Sequence, residues 1–218
     1  MTDKLAVLTA EEKATLAGVT FRFTVYTVLV TGFMLLLLRI VRAEGAEVFG
    51  EGDPIENAQV ALLMLAALVF LVTARLQASF DVLCRIFALF CVFVVIREGD
   101  AFWDDLLPAA GWQLPATLVF LTIAAMYARD RARCNRQLAR FMTMRAMTLL
   151  WTGFIIAIPV AQLLAHGPMF KLIMGEDYVA SFKRLIEETL ELLGYALILF
   201  GAVEHFFQTG CWRRLRDR

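Results

Sequence analysis

Histidine is almost absent from this chain, with only His166 and His205, so one copy cannot build a three-histidine zinc centre. Cysteine is nearly as scarce. Cys84, Cys91, Cys134 and Cys211 include no CxxC or CxxH spacing, which removes a disulfide framework and a thiolate metal site from the expected chemistry. Cys84 and Cys91 share a helix face, but about 10 Å of axial rise keeps them from bonding. With 21 basic and 21 acidic residues the formal net charge is zero, so no overall basic balance suggests nucleic acid as a partner. The first 18 residues, MTDKLAVLTAEEKATLAG, lack a long apolar core followed by a small-residue cleavage site, and no removable signal peptide is expected. GxSxG, Walker A, GxGxxG at a helix start, HExxH and the EF-hand loop are all missing, and with them the common hydrolase, nucleotide and calcium signatures.

Apolar residues are abundant at 60% of the chain, well above the roughly 45–50% of a soluble domain. A spanning helix needs about 20 mostly apolar residues. Six segments approach that length, at about 21–41, 55–74, 82–96, 114–127, 146–165 and 185–207. The fold expected is an all-α polytopic membrane bundle of about six helices, with a polar lead-in at 1–19, a membrane domain at 20–207 and a basic tail at 208–218.

Orientation follows from charge, because short loops rich in Lys and Arg stay cytoplasmic. One side gathers the N-terminus, Arg75, Arg85, the loop ARDRARCNRQLARFMTMR and the tail WRRLRDR, which hold 15 of the 21 basic residues. The other side holds 14 of the 21 acidic residues. Both termini are thus expected in the cytoplasm, in an inner (plasma) membrane. The arginine-rich loop reads as a topology determinant that meets anionic lipid. Dividing the chain after the third helix leaves three spans on each side, the arrangement of inverted-repeat transporters, but the halves share no clear residue match.

The stretch RLIEETLELLGY opens the last span with three carboxylates. On a helix, Arg184, Glu188, Glu191 and Tyr195 fall within an arc of roughly 60°, and Glu187 lies one turn from Glu191. An unpaired charge in the bilayer core costs roughly 2.5 kcal/mol or more, so Glu191 should face the bundle. Arg97, Asn57, Gln59, Tyr195 or a bound cation are the partners within reach. The second helix begins on the same side with Glu56, Asn57 and Gln59, the third ends there with Arg97, Glu98 and Asp100, and His166 ends the fifth. Carboxylates with amide oxygens suit hard divalent ions, and Glu with His can hold iron or zinc. The expected metal or cation ligands are Glu56, Glu98, Asp100, Glu187, Glu188, Glu191 and His166, supported by Asn57, Gln59, Arg97 and Tyr195, with a divalent metal as the candidate cofactor.

The competing readings are first-turn carboxylates answering the helix dipole beside a buried Arg97–Glu191 pair, protonatable carboxylates in transport, and a metal-dependent hydrolase of a lipid-like substrate. A structural or assembly subunit would need only the ion pairs. Besides the bilayer, the candidate partners are a second copy or another membrane protein. Glu204 and His205 lie about 20 Å further along the last helix than Glu191 and read as a boundary pair. Gly194 and Gly201 read as sites of close helix packing. The topology is tested with single cysteine reporters in the 43–53 loop and in the tail: they should react from opposite sides of the membrane, and labelling of both from one side would overturn it.

Overall fold

The computed structural model describes residues 9–44, 54–175 and 179–216. Every regular element among them is helical. The 45–53 connection and residues 176–178, which contribute to the acidic count above, lie outside the described residues. The chain forms two compact units that divide between Gly45 and Ala46.

The first unit is built on helix α1, Ala10–Glu44. Its start is fixed by a reciprocal cap: the Thr9 amide donates to Glu12 Oε2 at 2.7 Å and the Glu12 amide donates to Thr9 Oγ1 at 3.2 Å, so two amides that lack helical partners are satisfied together. The helix therefore begins inside the expected lead-in and runs unbroken through the first predicted span.

The second unit contains α2 (Pro54–Leu76), α3 (Asp81–Glu98), α4 (Asp100–Leu106), α5 (Gln113–Arg129), α6 (Arg131–Phe141), α7 (Arg145–Ile155), a π turn at Ile156–Val160, α8 (Ala161–Leu164), α9 (Gly167–Met174), α10 (Ala180–Gln208) and α11 (Cys211–Arg216). The connector after the third predicted span carries α4 (DAFWDDL), and GPMFKLIM before the sixth forms α9. Four helices are long and apolar enough to cross a membrane: α1 over Glu12–Ala43, α2, the continuous α7–α8 rod over Arg145–Leu164, and α10. The third and fourth predicted spans do form helices. However, α5 has only 17 residues, and the 18 of α3 include Asp81, Arg85, Arg97 and Glu98.

Helix α10 is the central element, packed on α7, the π turn, α8 and α2, while α2 also packs on α3 and α3 on α5. The core between them combines Phe70, Phe87, Phe141 and Leu63 with small residues such as Ala66, Ala88 and Ala202. Small residues let backbones approach, which matters where lipid offers no hydrophobic drive for helix association. A Cβ on Gly194 would lie 2.5 Å from the Ala157 Cβ and 2.7 Å from the Gly153 carbonyl, and one on Gly201 would lie 3.0 Å from the Leu150 amide. Pro159 falls inside the π turn. Proline removes one backbone donor and crowds the preceding turn, and the wider π geometry accommodates it while setting Ala157 against Gly194.

Contacts at the two ends show that α2, α3, α5, the α7–α8 rod and α10 alternate in direction along the chain, so that α2 and α10, which pack on each other, run the same way. At the basic end, Arg133 of α6 pairs with Asp81 at the start of α3 at 2.8 Å. The Gln137 side chain donates to Asp81 Oδ1 at 3.0 Å and accepts from the Leu83 amide at 2.8 Å, and Arg214 donates to the Leu76 carbonyl. The arginine-rich segment is thus an amphipathic helix tied to the bundle through the buried Cys134, Gln137 and Phe141, not only a charged loop. Glu204 is fully buried, 3.7 Å from Arg145 Nε. His205 is also fully buried, edge-on to Phe80 and Phe141 at 4.8 and 5.1 Å. The pair read from the sequence as a boundary anchor sits inside this end of the core.

The Gly194 contact predicts that Gly194→Ala destabilises the protein by about 1–3 kcal/mol, the usual range for overpacking, and that Gly201→Ala costs less. Thermal unfolding in detergent followed by tryptophan fluorescence should show that order, and equal midpoints for the two variants would contradict it.

Candidate functional site

At the opposite end, the start of α2, the end of α3, the start of α4 and the first turns of α10 surround a cavity of about 410 Å³. Its wall contains Glu56, Arg97, Glu98, Asp100, Trp112, Lys183, Arg184, Glu187, Glu188 and Glu191. Six of the seven carboxylate or imidazole residues expected as ligands are therefore gathered in one place. His166 is the exception: it is exposed, precedes α9 as its N-cap residue and does not line the cavity. Asn57 is also exposed and outside the lining set.

The helices bring charge into poorly hydrated surroundings. The Glu98 and Glu191 side chains are only 7% and 4% exposed, while Arg97 remains 44% exposed. Arg97 Nη1 reaches Glu98 Oε1 at 2.5 Å and Glu191 Oε1 at 3.6 Å. One guanidinium thus sits between two buried carboxylates from different helices. Its fixed fork of donors suits such bridging. Tyr195, 1% exposed, donates its hydroxyl to the same Glu98 oxygen at 2.9 Å.

The remaining carboxylates use neutral donors and lysine. Fully buried Gln59 donates from Nε2 to Glu188 Oε2 at 2.8 Å and to the Glu188 carbonyl at 3.2 Å. Its Oε1 is buried without a partner among the described residues. Gln162 of α8 donates to Glu187 Oε1 at 2.9 Å and to Glu191 Oε1 at 3.4 Å, and Lys183 pairs with Glu187 Oε2 at 3.0 Å. The expected partners are thus redistributed: Gln59 serves Glu188, Tyr195 serves Glu98, and Glu191 is shared by Arg97 and Gln162. Gln162 was not singled out from the sequence, although a lone amide in the apolar run IPVAQLLAH near the polar end of its helix is the signal that points to it.

Among the described residues, no three His, Cys, Asp or Glu groups form a ready metal-ligand set. The wall instead spreads its carboxylates over four helices, α2, α3, α4 and α10. No protein family, curated protein or solved structure matches the chain.

Tyr195→Phe removes a donor from a buried carboxylate and should cost about 1.5–3 kcal/mol, the range for hydrogen bonds to charged groups. Gln162→Ala, at an exposed position, should cost less. Denaturant or thermal unfolding of the two variants checks the ranking, and a neutral Tyr195→Phe would show that Glu98 does not depend on this donor.

Proposed function

We propose that the chain is a six-span inner-membrane protein with both termini in the cytoplasm, and that its acidic cavity binds a cation from the opposite side. One observation carries the ligand reading: six carboxylates line the cavity against three basic side chains, Arg97, Lys183 and Arg184. By formal count the wall holds three more carboxylates than basic side chains. Two like charges about 4 Å apart at an effective dielectric of 20 repel by about 4 kcal/mol, so a cation entering the cavity lowers the repulsion among those that are ionised.

The distribution of acceptors favours a cation held by several separate oxygens, such as an ammonium group, or a divalent ion that keeps part of its water shell. Carboxylates facing a cavity, as opposed to lipid, are the usual mark of function in a membrane helix. No reaction is included in this reading. A second reading has its own support: Arg97 between Glu98 and Glu191 is a sufficient reason for burying two of the six carboxylates, as in a subunit whose ion pairs only hold helices together.

Thermal unfolding in detergent across titrations of magnesium, calcium and ethylammonium separates the two. Under the cation reading the parent protein gains stability with concentration, about 2.7 kcal/mol at a hundred times the dissociation constant. Glu191→Gln weakens that gain, and Arg97→Gln strengthens it by removing the competing charge. A melting temperature that no cation moves, with a large loss in Arg97→Gln, would leave the structural reading standing.

A further inference from the structure

Away from the acidic cavity, the basic end of the second unit carries a large excess of positive charge. Its described side chains include ten arginines against three acidic groups, Asp81, Asp130 and Glu204, and Asp81 and Glu204 are already met by Arg133 and Arg145. Arg75, Arg129, Arg131, Arg136 and Arg140 are exposed and meet no carboxylate at ion-pair distance among the described residues. On α6, Arg133, Arg136 and Arg140 fall within an arc of roughly 60°, beside the buried face of Cys134, Gln137 and Phe141. Helix α11 joins this surface through the connector between α2 and α3: Arg214 donates to the Leu76 carbonyl, Arg133 Nη2 donates to the Ala78 carbonyl at 3.1 Å, and Gln77 Nε2 donates to the Thr209 carbonyl at 3.2 Å. Two basic helices are thus moored to one short stretch of chain, 76–78.

From this juxtaposition we infer that α6 and α11 together form a binding surface for anionic phospholipid headgroups, independently of what the acidic cavity holds. Height favours lipid over a soluble partner, because three helices long and apolar enough to cross a membrane end or begin here: α2 at Leu76, the α7–α8 rod at Arg145 and α10 at Gln208. The arginines therefore stand close to the hydrocarbon boundary, where each one gains from a negatively charged leaflet. The apolar side chains among them agree. Met142 at the end of α6 and Trp212 and Leu215 on α11 are exposed, and Arg213 Cζ lies 5.4 Å from the centre of the Trp212 ring. Aromatic and aliphatic groups interleaved with arginine belong to helices that lie in the headgroup layer, whereas an acidic peptide would use the arginines and leave these groups in water. A guanidinium suits the phosphate because its fork of donors bonds two oxygens at once. The sequence alone gives one loop that meets anionic lipid. The folded chain adds a second helix and fixes both, so headgroups meet a preformed surface whose backbone needs no ordering.

The test uses the full chain in nanodiscs of mixed phosphatidylcholine and phosphatidylglycerol, with two photoactivatable phospholipid probes that carry the crosslinker beside the phosphate and differ only in a choline or a glycerol head. The glycerol probe should label peptides of α6 and α11 about fivefold or more above the choline probe, the factor for one arginine near an anionic surface. It should show no such preference for peptides of α4 and α9 at the acidic end. Arg136→Gln combined with Arg140→Gln should remove the preference at α6, and Arg213→Gln should reduce it at α11. Raising the salt to about 1 M, where the screening length is about 3 Å, should reduce both. Because these side chains have no carboxylate partner among the described residues, the variants should melt with the parent in uncharged detergent. Equal labelling by the two probes, an equal preference at both ends of the bundle, or a preference that no variant changes overturns the proposal. So does a lower melting temperature of the variants, which would assign the arginines to the fold. Saturable binding of a soluble polyglutamate peptide to the same nanodiscs, without any headgroup preference, would give the surface to an acidic partner instead.

Discussion

The bridge from Arg97 to Glu98 and Glu191 is the constraint on which this end of the molecule depends. Glu191 lies at the buried face of an apolar helix, where an uncompensated carboxylate would oppose insertion, and Arg97 is the only basic side chain within ion-pair distance of it among the described residues. Reaching Glu191 requires that α3 end alongside the first turns of α10, which fixes the relative height of the two helices. Once that height is set, Tyr195 meets Glu98 and Gln59 of α2 meets Glu188. Three polar helix ends are thus aligned by side chains that none of them could bury alone.

The two ends of the second unit contrast in how their charge is settled. At the basic end, Asp81 has Arg133 and Gln137, Glu204 has Arg145 and Gln208, and the backbone carbonyl of Leu76 accepts from Arg214. Helices α6 and α11 cover this end, and aromatic rings enclose His205. The acidic end has a cavity, an excess of carboxylates and short helices in place of a lid of packed side chains. Neither ring nitrogen of His205 has a hydrogen-bond partner among the described residues, so the basic end is covered more completely than it is paired; an end with open volume and few covering side chains is where local opening is concentrated.

Much of this architecture is legible in the sequence, because hydrophobic length and charge placement are strong signals. The six predicted segments all fall within helices, and the carboxylates of α2, α3 and α10 converge as their helix-end positions imply. What escapes is pairwise. Which amide serves which carboxylate depends on rotation and height to within about an ångström, and the sequence carries no record of that, so Gln59 and Tyr195 serve Glu188 and Glu98 in place of Glu191, and Gln162 stands beside Glu191. The segment ARDRARCNRQLARF has a polar composition that hides a helix whose buried face needs only Cys134, Gln137 and Phe141. His166 shows the limit of depth arguments: it occupies the expected end of its helix yet turns away from the cavity as the cap of α9. The π turn at Pro159, which brings Ala157 against Gly194, depends on tertiary packing as much as on the proline.

The central claim is that the acidic cavity is completed by a cation supplied from outside the chain. A high-resolution density map of the protein in nanodiscs, determined with a divalent cation or a short ammonium salt present and again with chelator in an ammonium-free buffer, tests it most directly. The account predicts density within the cavity, in contact with Glu188 and at least one other wall carboxylate, that is lost in the second condition. A cavity unchanged between the two maps, closed and dry with every carboxylate paired inside the protein, would contradict it.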